Sequence, residues 1–189
     1  IKGLTADDKT AAIQAFISFL VKRFPFHYDT DVFTEMQHVL ISCRDDFKAA
    51  RKARHLSRII SIQYLFRKGL RELLKKNPHR RHLHLKIFRS WIRTKTGPKR
   101  VLSFLVGINF IKEQESFGER NLIKAIQHYI PSAQAVVDSF LIHKLNSENI
   151  CLAYLEVEKK DGGSFSSSEI RKLRRELSGN LKNRIEHRL

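Results

Sequence analysis

The spacing of apolar residues divides this chain into a helical first part and a sheet-containing second part. Up to residue 76 the apolar positions recur every three or four residues, the period of an amphipathic helix. From His82 they alternate with polar positions, the period of a strand. The pattern therefore predicts three helices followed by the order β-β-α-β-β-α.

The three predicted helices differ in length and in charge. The first begins at Thr5 and ends near Pro25, and the second begins at Thr30 or Asp31 and ends near Ser42. The third, over 46–76, is the longest, and Pro78 prevents it from continuing. Lys and Arg dominate its outer face, so it is a basic amphipathic helix.

The second part contains four predicted strands and two predicted helices. Ser166 and Glu169 have the spacing of a capping box, which marks the start of the last helix. The predicted strands cover 82–92, 101–112, 135–145 and 150–159, and the predicted helices cover 118–130 and 167–187.

These elements define an α+β fold. We expect a helical region over 1–78 and a sheet domain over 79–189, packed as one unit, with two helices on one face of a four-stranded, mostly antiparallel sheet. The order β-α-β-β-α resembles a ferredoxin-like or ACT-type module. That resemblance implies that the final strand lies beyond Leu189 or is replaced by strand 82–92.

Composition limits the class of protein. With 189 residues, 42% of them apolar, the chain is long enough for one ordinary domain with a real core. Apolar runs are too short for a membrane span, and a first residue other than Met indicates a piece of a longer protein. Cys43 and Cys151 lie far apart in apolar surroundings, which favours buried, reduced thiols and a cytoplasmic location.

The formal charge of +17 is concentrated in the middle of the chain. Residues 44–100 hold 19 Lys or Arg and 3 acids, a net of +16, whereas the other 132 residues hold 17 bases and 16 acids, a net of +1. The segment 77–100 has no acidic residue at all. Such a concentration of cations is typical of a surface that binds polyanions.

We predict a polyanion-binding surface on the long helix and on the outer face of strand 82–92. Alternation places Phe88 on that outer face for base stacking, and places Trp91 on the inner face with Leu83 and Ile87. The predicted binding residues are Arg51, Arg54, Arg58, Arg67, Arg71, Arg80, Arg81, His82, His84, Lys86, Phe88 and Arg89.

No motif in the sequence indicates catalysis, a cofactor or a metal. His82 and His84 share one side of a strand, but no further ligand set completes a zinc site. Glu113, Glu115 and Glu119 form the acidic cluster, which we interpret as a loop exit and the first turn of a helix facing the basic segment.

Two functions of different classes remain open. The first is a non-catalytic basic module that binds RNA or another polyanion through residues 44–100. The alternative is a regulatory or protein-interaction domain of a larger multidomain enzyme, with the basic third against an acidic partner domain of the same protein. A weaker third interpretation lays helix 46–76 on an anionic membrane surface.

Overall fold

A computed structural model describes residues 6–187 and confirms the α+β class. The predicted start of the first helix, Thr5, lies outside this range. The helices are α1 (Ala6–Arg23), α2 (Val32–Ser42), α3 (Asp45–Ala49), α4 (Ala53–Lys76), α5 (Glu119–Tyr129) and α6 (Ser167–Lys182). The strands are β1 (Leu83–Thr94), β2 (Gly97–Asn109), β3 (Glu115–Ser116), β4 (Ala133–Ala135), β5 (Leu141–Leu145), β6 (Ile150–Lys159) and β7 (Glu186–His187).

The predicted long helix over 46–76 is wrong in one respect, because residues 50–52 break it into α3 and α4. The ammonium group of Lys9 donates hydrogen bonds to the carbonyls of Lys48 at 2.7 Å and Arg51 at 2.8 Å. The backbone N–H of Arg93 donates to the carbonyl of Ala50 at 2.8 Å. Carbonyls that would otherwise continue a helix therefore have partners from distant parts of the chain.

The main sheet has five strands in the order β1, β2, β6 and β4, with β5 also paired to β6. Strand β6 is antiparallel to β2, β4 and β5, and its Glu156 lies opposite Ser103. This order agrees with a ferredoxin-like sheet in which β1 takes the place of the final strand, one of the two arrangements that the element order implied.

The predicted strand over 135–145 is interrupted in the structure. Five residues, 136–140, span the gap between the pairs Ala135–Val157 and Leu141–Tyr154, opposite only two residues of β6. The Ser139 hydroxyl bonds both the N–H and the carbonyl of Glu156, each at 3.2 Å. The N–H of Val136 also donates to the Glu156 carbonyl, at 2.8 Å. A side chain thus supplements a single backbone contact at this point, which strand periodicity cannot show.

One face of the sheet packs against α5 and α6, as predicted. The capping box is confirmed, since the Glu169 N–H donates to the Ser166 hydroxyl at 3.1 Å. The last helix ends at Lys182 rather than at 187, and β7 then pairs with β3. The central residues of this core are Phe104, Val106, Ile108, Leu122, Ile126, Ala153, Leu155, Ile170, Leu173 and Leu177.

The second half of α4 covers part of the other face. Leu70 packs there with Ile150 and Leu152 of β6. Gly107 of β2 allows the close approach, because a Cβ at this position would lie 3.1 Å from a Leu70 methyl carbon and 3.2 Å from the Cβ of Phe66. A glycine in the strand is therefore a packing requirement.

Contacts divide the chain into two compact units. The first contains the described residues up to 65 together with 91–99, and the second contains 66–90 and the described residues from 100 onward. The division runs through α4 and β1. In neither unit do the described helices combine the length and apolar character needed to cross a bilayer.

Candidate nucleic-acid interface

Two of the predicted binding arginines, Arg67 and Arg71, form ion pairs with a glutamate. Arg71 binds both carboxylate oxygens of Glu148, at 2.7 and 2.5 Å, and Arg67 adds a contact at 3.2 Å. Hydrogen bonding to Arg71, assisted by Arg67, lowers the pKa of Glu148 to about 2. These arginines hold the β5–β6 turn against α4, so both are engaged within the fold.

Arg81 is likewise committed to an internal contact. It binds both carboxylate oxygens of Glu115, at 2.8 and 2.7 Å, and also donates to the carbonyl of Asn109. Burial acts to raise the pKa of Glu115, but hydrogen bonds from Arg81 and from the Ile111 N–H outweigh it and lower the pKa to about 2. Glu115 thus faces the basic segment, whereas Glu113 and Glu119 are exposed.

Arg51 was predicted on the outer face of the long helix, and the structure shows it buried, with 5% of its surface exposed. Its guanidinium lies 3.6 Å from the centre of the Phe47 ring and donates to the Phe47 carbonyl at 2.9 Å. The turn between α3 and α4 folds this side chain back onto α3.

The predicted outer face of β1 is also wrong for its aromatic residues. Phe88 is 4% exposed although its neighbour Ile87 is 1% exposed, so both faces of the strand are covered here. Trp91, predicted inside, is instead 54% exposed. The simple alternation of one buried and one solvated face therefore fails in the middle of β1.

The two strand histidines are packing residues. His82 is buried, with its Nε2 atom 3.1 Å from the carbonyl of Asn77. His84 stacks on Phe66 at a centroid distance of 5.4 Å, and burial, with a smaller contribution from His82, lowers its pKa. A largely neutral imidazole under α4 is poorly suited to bind phosphate.

Five of the twelve predicted residues remain exposed. Arg54 and Arg58 lie one turn apart on α4 in the first unit. Burial, with a smaller contribution from the charge of Arg54, lowers the pKa of Arg58. The other three, Arg80, Lys86 and Arg89, belong to the second unit.

Arg89 and Arg174 join β1 to α6 in a reciprocal way. Arg89, on the strand, donates to the carbonyl of Phe165, just before α6, at 2.9 Å. Arg174, on the helix, donates to the carbonyl of Ile87, on the strand, at 2.9 Å. Both residues are exposed, and within the described chain neither has a carboxylate partner.

A third arginine extends this arrangement. Arg171 is exposed and precedes Arg174 by three residues, so the two side chains are neighbours on α6. We call Arg89, Arg171 and Arg174 the edge arginines, because β1 is an edge strand of the sheet. Sequence reasoning missed Arg171 and Arg174 because the region outside 44–100 is nearly neutral in sum.

The cysteines and the possible metal ligands were also compared with what a reactive thiol or a metal site would need. Burial raises the pKa of the Cys43 thiol to about 11 and that of the Cys151 thiol to about 12, and both cysteines are free of disulfides, as predicted. Among residues 6–187, no three His, Cys, Asp or Glu side chains come together as metal ligands would.

Comparisons with known proteins do not indicate a function for this chain. Neither protein-family models, nor curated proteins, nor solved structures show a match to this chain.

Proposed function

We propose that this chain is a non-catalytic module that binds RNA or a similar polyanion through the edge arginines. The observation that carries the proposal is the reciprocal pair of contacts between Arg89 and the Phe165 carbonyl and between Arg174 and the Ile87 carbonyl. The interface is therefore smaller than the basic third of the sequence, and part of it lies on α6.

The contacts to backbone carbonyls favour phosphate binding. A guanidinium has five N–H donors, and the contacts of Arg89 and Arg174 to the two carbonyls each use an N–H of one terminal nitrogen. The remaining donors of these exposed side chains are available to phosphate oxygens, which arginine binds in a two-pronged manner. Because each side chain is held by the fold, less conformational entropy is lost on binding.

Neighbouring cations support the same interface. Arg175 follows Arg174 on α6, where it contacts Glu176 at 3.0 Å. Lys86, three residues before Arg89, lies on the opposite face of β1 and is not part of this group. Arg80 is exposed just before β1. Such a group neutralises phosphates and releases their counterions, so no base-specific motif is needed for binding.

The test is a salt titration of binding to a fluorescently labelled single-stranded RNA of mixed sequence. The double variant Arg89→Gln, Arg174→Gln should weaken binding roughly tenfold near 100 mM salt and reduce the log-log salt slope by about 1.5. The matched control Arg120→Gln, Lys124→Gln removes the same charge from exposed positions on α5 and should change affinity less than twofold.

A third variant tests whether weaker binding could come from loss of folding. Arg171→Gln removes an edge arginine whose side chain makes no hydrogen bond or ion pair with the described residues. It should weaken RNA binding while the melting temperature stays within about 1 °C of the parent. The proposal fails if the parent protein shows no salt-dependent RNA binding, or if the α5 control weakens binding as much as the edge variants.

The alternative function, a ligand-sensing regulatory module, has the strand order of the sheet in its favour. ACT-type modules place small ligands at strand or helix edges, so this reading predicts stabilisation by a small molecule. A thermal-shift screen of amino acids and nucleotides tests it, and a ligand at 100 times its dissociation constant adds about 2.7 kcal/mol to the free energy of unfolding.

A further inference from the structure

Four phenylalanines at the end of α1 are exposed to solvent. Their exposed fractions are 36% for Phe16, 58% for Phe19, 41% for Phe24 and 92% for Phe26. We call these residues the phenylalanine cluster. Single exposed apolar residues are common on protein surfaces, but several large ones within eleven positions of one chain mark a binding surface.

The cluster is separate from the core-facing side of the helix. Ile13 and Ile17 are 1% and 0% exposed and fix the buried side of α1. Phe16 and Phe19 are three residues apart and therefore lie along one flank. Ala12 and Ala15 are exposed on the same flank, so the apolar stripe extends toward the start of the helix.

The turn after α1 holds the other two rings in place. The N–H of Phe24 donates to the Leu20 carbonyl at 2.8 Å, and the N–H groups of His27 and Tyr28 both donate to the Phe24 carbonyl at 3.0 Å. Phe26 is thus carried at the tip of a hydrogen-bonded turn. The Phe26 ring is therefore exposed on a turn whose backbone is held by hydrogen bonds.

Cations border the cluster. Lys22 and Arg23 form the last turn of α1, both exposed, and the Arg23 guanidinium lies 5.5 Å from the centre of the Phe24 ring. Two exposed acids follow the turn: Asp31 accepts a hydrogen bond from the Tyr64 hydroxyl at 2.7 Å, and the backbone N–H of Asp29 donates to the same hydroxyl at 3.2 Å. The rings are therefore bordered by two cations on the α1 side and by two acids beyond the turn.

We propose that the phenylalanine cluster docks this protein onto the surface of an anionic lipid bilayer. Phe side chains have no hydrogen-bonding group and fit a non-directional apolar phase, whereas protein interfaces carry about one hydrogen bond per 100–200 Å². Lys22 and Arg23, in the last turn of α1, supply the attraction to anionic headgroups. The rings enter the boundary between headgroups and acyl chains.

The experiment is cosedimentation of the purified chain with vesicles of phosphatidylcholine, with and without 30% phosphatidylserine. Phe19→Ser, Phe26→Ser should reduce the partition coefficient into the anionic vesicles at least tenfold. Val137→Ser is the matched control, since Val137 is 83% exposed in the second unit, and it should change partitioning less than twofold. Neither change should lower the melting temperature, because these side chains are largely exposed.

Three results would overturn the proposal. The first is equal partitioning of the parent into neutral and anionic vesicles or into none. The second is vesicle binding that survives in the double phenylalanine variant, since the edge arginines alone would then explain it. The third is a parent that forms dimers or binds another protein through the cluster while vesicle binding is absent. Unchanged RNA affinity in the phenylalanine variant separates this surface from the edge arginines.

Discussion

Arg81 and Glu115 form a two-pronged ion pair in which the guanidinium nitrogens lie 2.8 and 2.7 Å from the two carboxylate oxygens. The side chain of Glu115 is only 2% exposed and that of Arg81 is 18% exposed. The N–H of Ile111 also donates to the carboxylate, at 2.8 Å. The pair therefore fastens the entry of β1 to the loop that follows β2, and it withdraws a cation from any binding surface.

Glu115→Gln should destabilise the fold by about 2–3 kcal/mol, because it leaves the charge of Arg81 without its partner in a largely buried site. Urea unfolding followed by circular dichroism measures the change. Glu113→Gln is the control, since Glu113 is exposed two residues earlier, and its effect should stay within about 0.5 kcal/mol. Equal effects of the two variants would mean that the pair contributes nothing beyond net charge.

Stability should fall steeply in acid. The pKa values of Glu115 and Glu148 are both about 2 in the folded chain, against 4.5 for an ordinary glutamate. Between these values the unfolded chain binds protons that the folded chain does not, so the unfolded state gains as the pH decreases. The stabilisation of the folded chain by these two ionised carboxylates is complete above pH 4.5 and is lost as the pH falls toward 2.

The free energy of unfolding, measured by urea titration from pH 6 to 2.5, checks this expectation. Glu148→Gln should lower stability at pH 6 and flatten the pH profile, since it removes one of the two shifted carboxylates. A profile with the same steepness in the parent and in this variant would show that Arg67 and Arg71 do not hold the carboxylate in its charged form.

Glycine substitutions should have opposite effects at matched positions. Gly107→Ala should destabilise by about 1–3 kcal/mol, because its Cβ would meet Leu70, Phe66 and Leu152 at 3.1–3.3 Å. Gly179→Ala in α6 meets nothing within 4 Å and should stabilise by about 0.5–1 kcal/mol through helix propensity. The melting temperatures of the two variants test both expectations. A higher melting temperature for Gly107→Ala would contradict the close packing of α4 on β2.

Lys9→Met should destabilise by about 1–2 kcal/mol, because the ammonium hydrogen bonds to the Lys48 and Arg51 carbonyls are lost while the aliphatic stem remains. Urea unfolding is again the measurement. Lys52→Met removes an exposed cation from the same turn and should stay within about 0.5 kcal/mol. If both variants behave alike, the break between α3 and α4 does not depend on Lys9.

Periodicity predicted most of the secondary structure because each amphipathic element must bury one face. Helix α5 and strand β6 appear within one residue of their predicted bounds, and the capping box of Ser166 and Glu169 is local enough to be read from four residues. The breaks at 50–52 and 136–140 were missed. In both, groups at least 17 residues away supply the hydrogen bonds, through Lys9 in one case and through Glu156 in the other.

The candidate site was predicted less well, because charge is visible in a sequence but its partners are not. Arg67, Arg71 and Arg81 look like binding residues until Glu148 and Glu115 are placed beside them. Arg174 looks like an ordinary helix surface residue until the Ile87 carbonyl is found at its guanidinium. Ion pairs join residues 34 to 81 positions apart, which no local pattern records.

By itself the sequence determined the α+β class, the order of the longer helices and strands and the net positive charge, since these follow from local periodicity, capping and composition. The tertiary structure alone decided which cations are exposed. Packing brings Glu115 to Arg81 and Glu148 to Arg67 and Arg71, and it covers both faces of β1 at Ile87 and Phe88. The same packing leaves Arg89 and Arg174 at the sheet edge and leaves Phe26 in solvent.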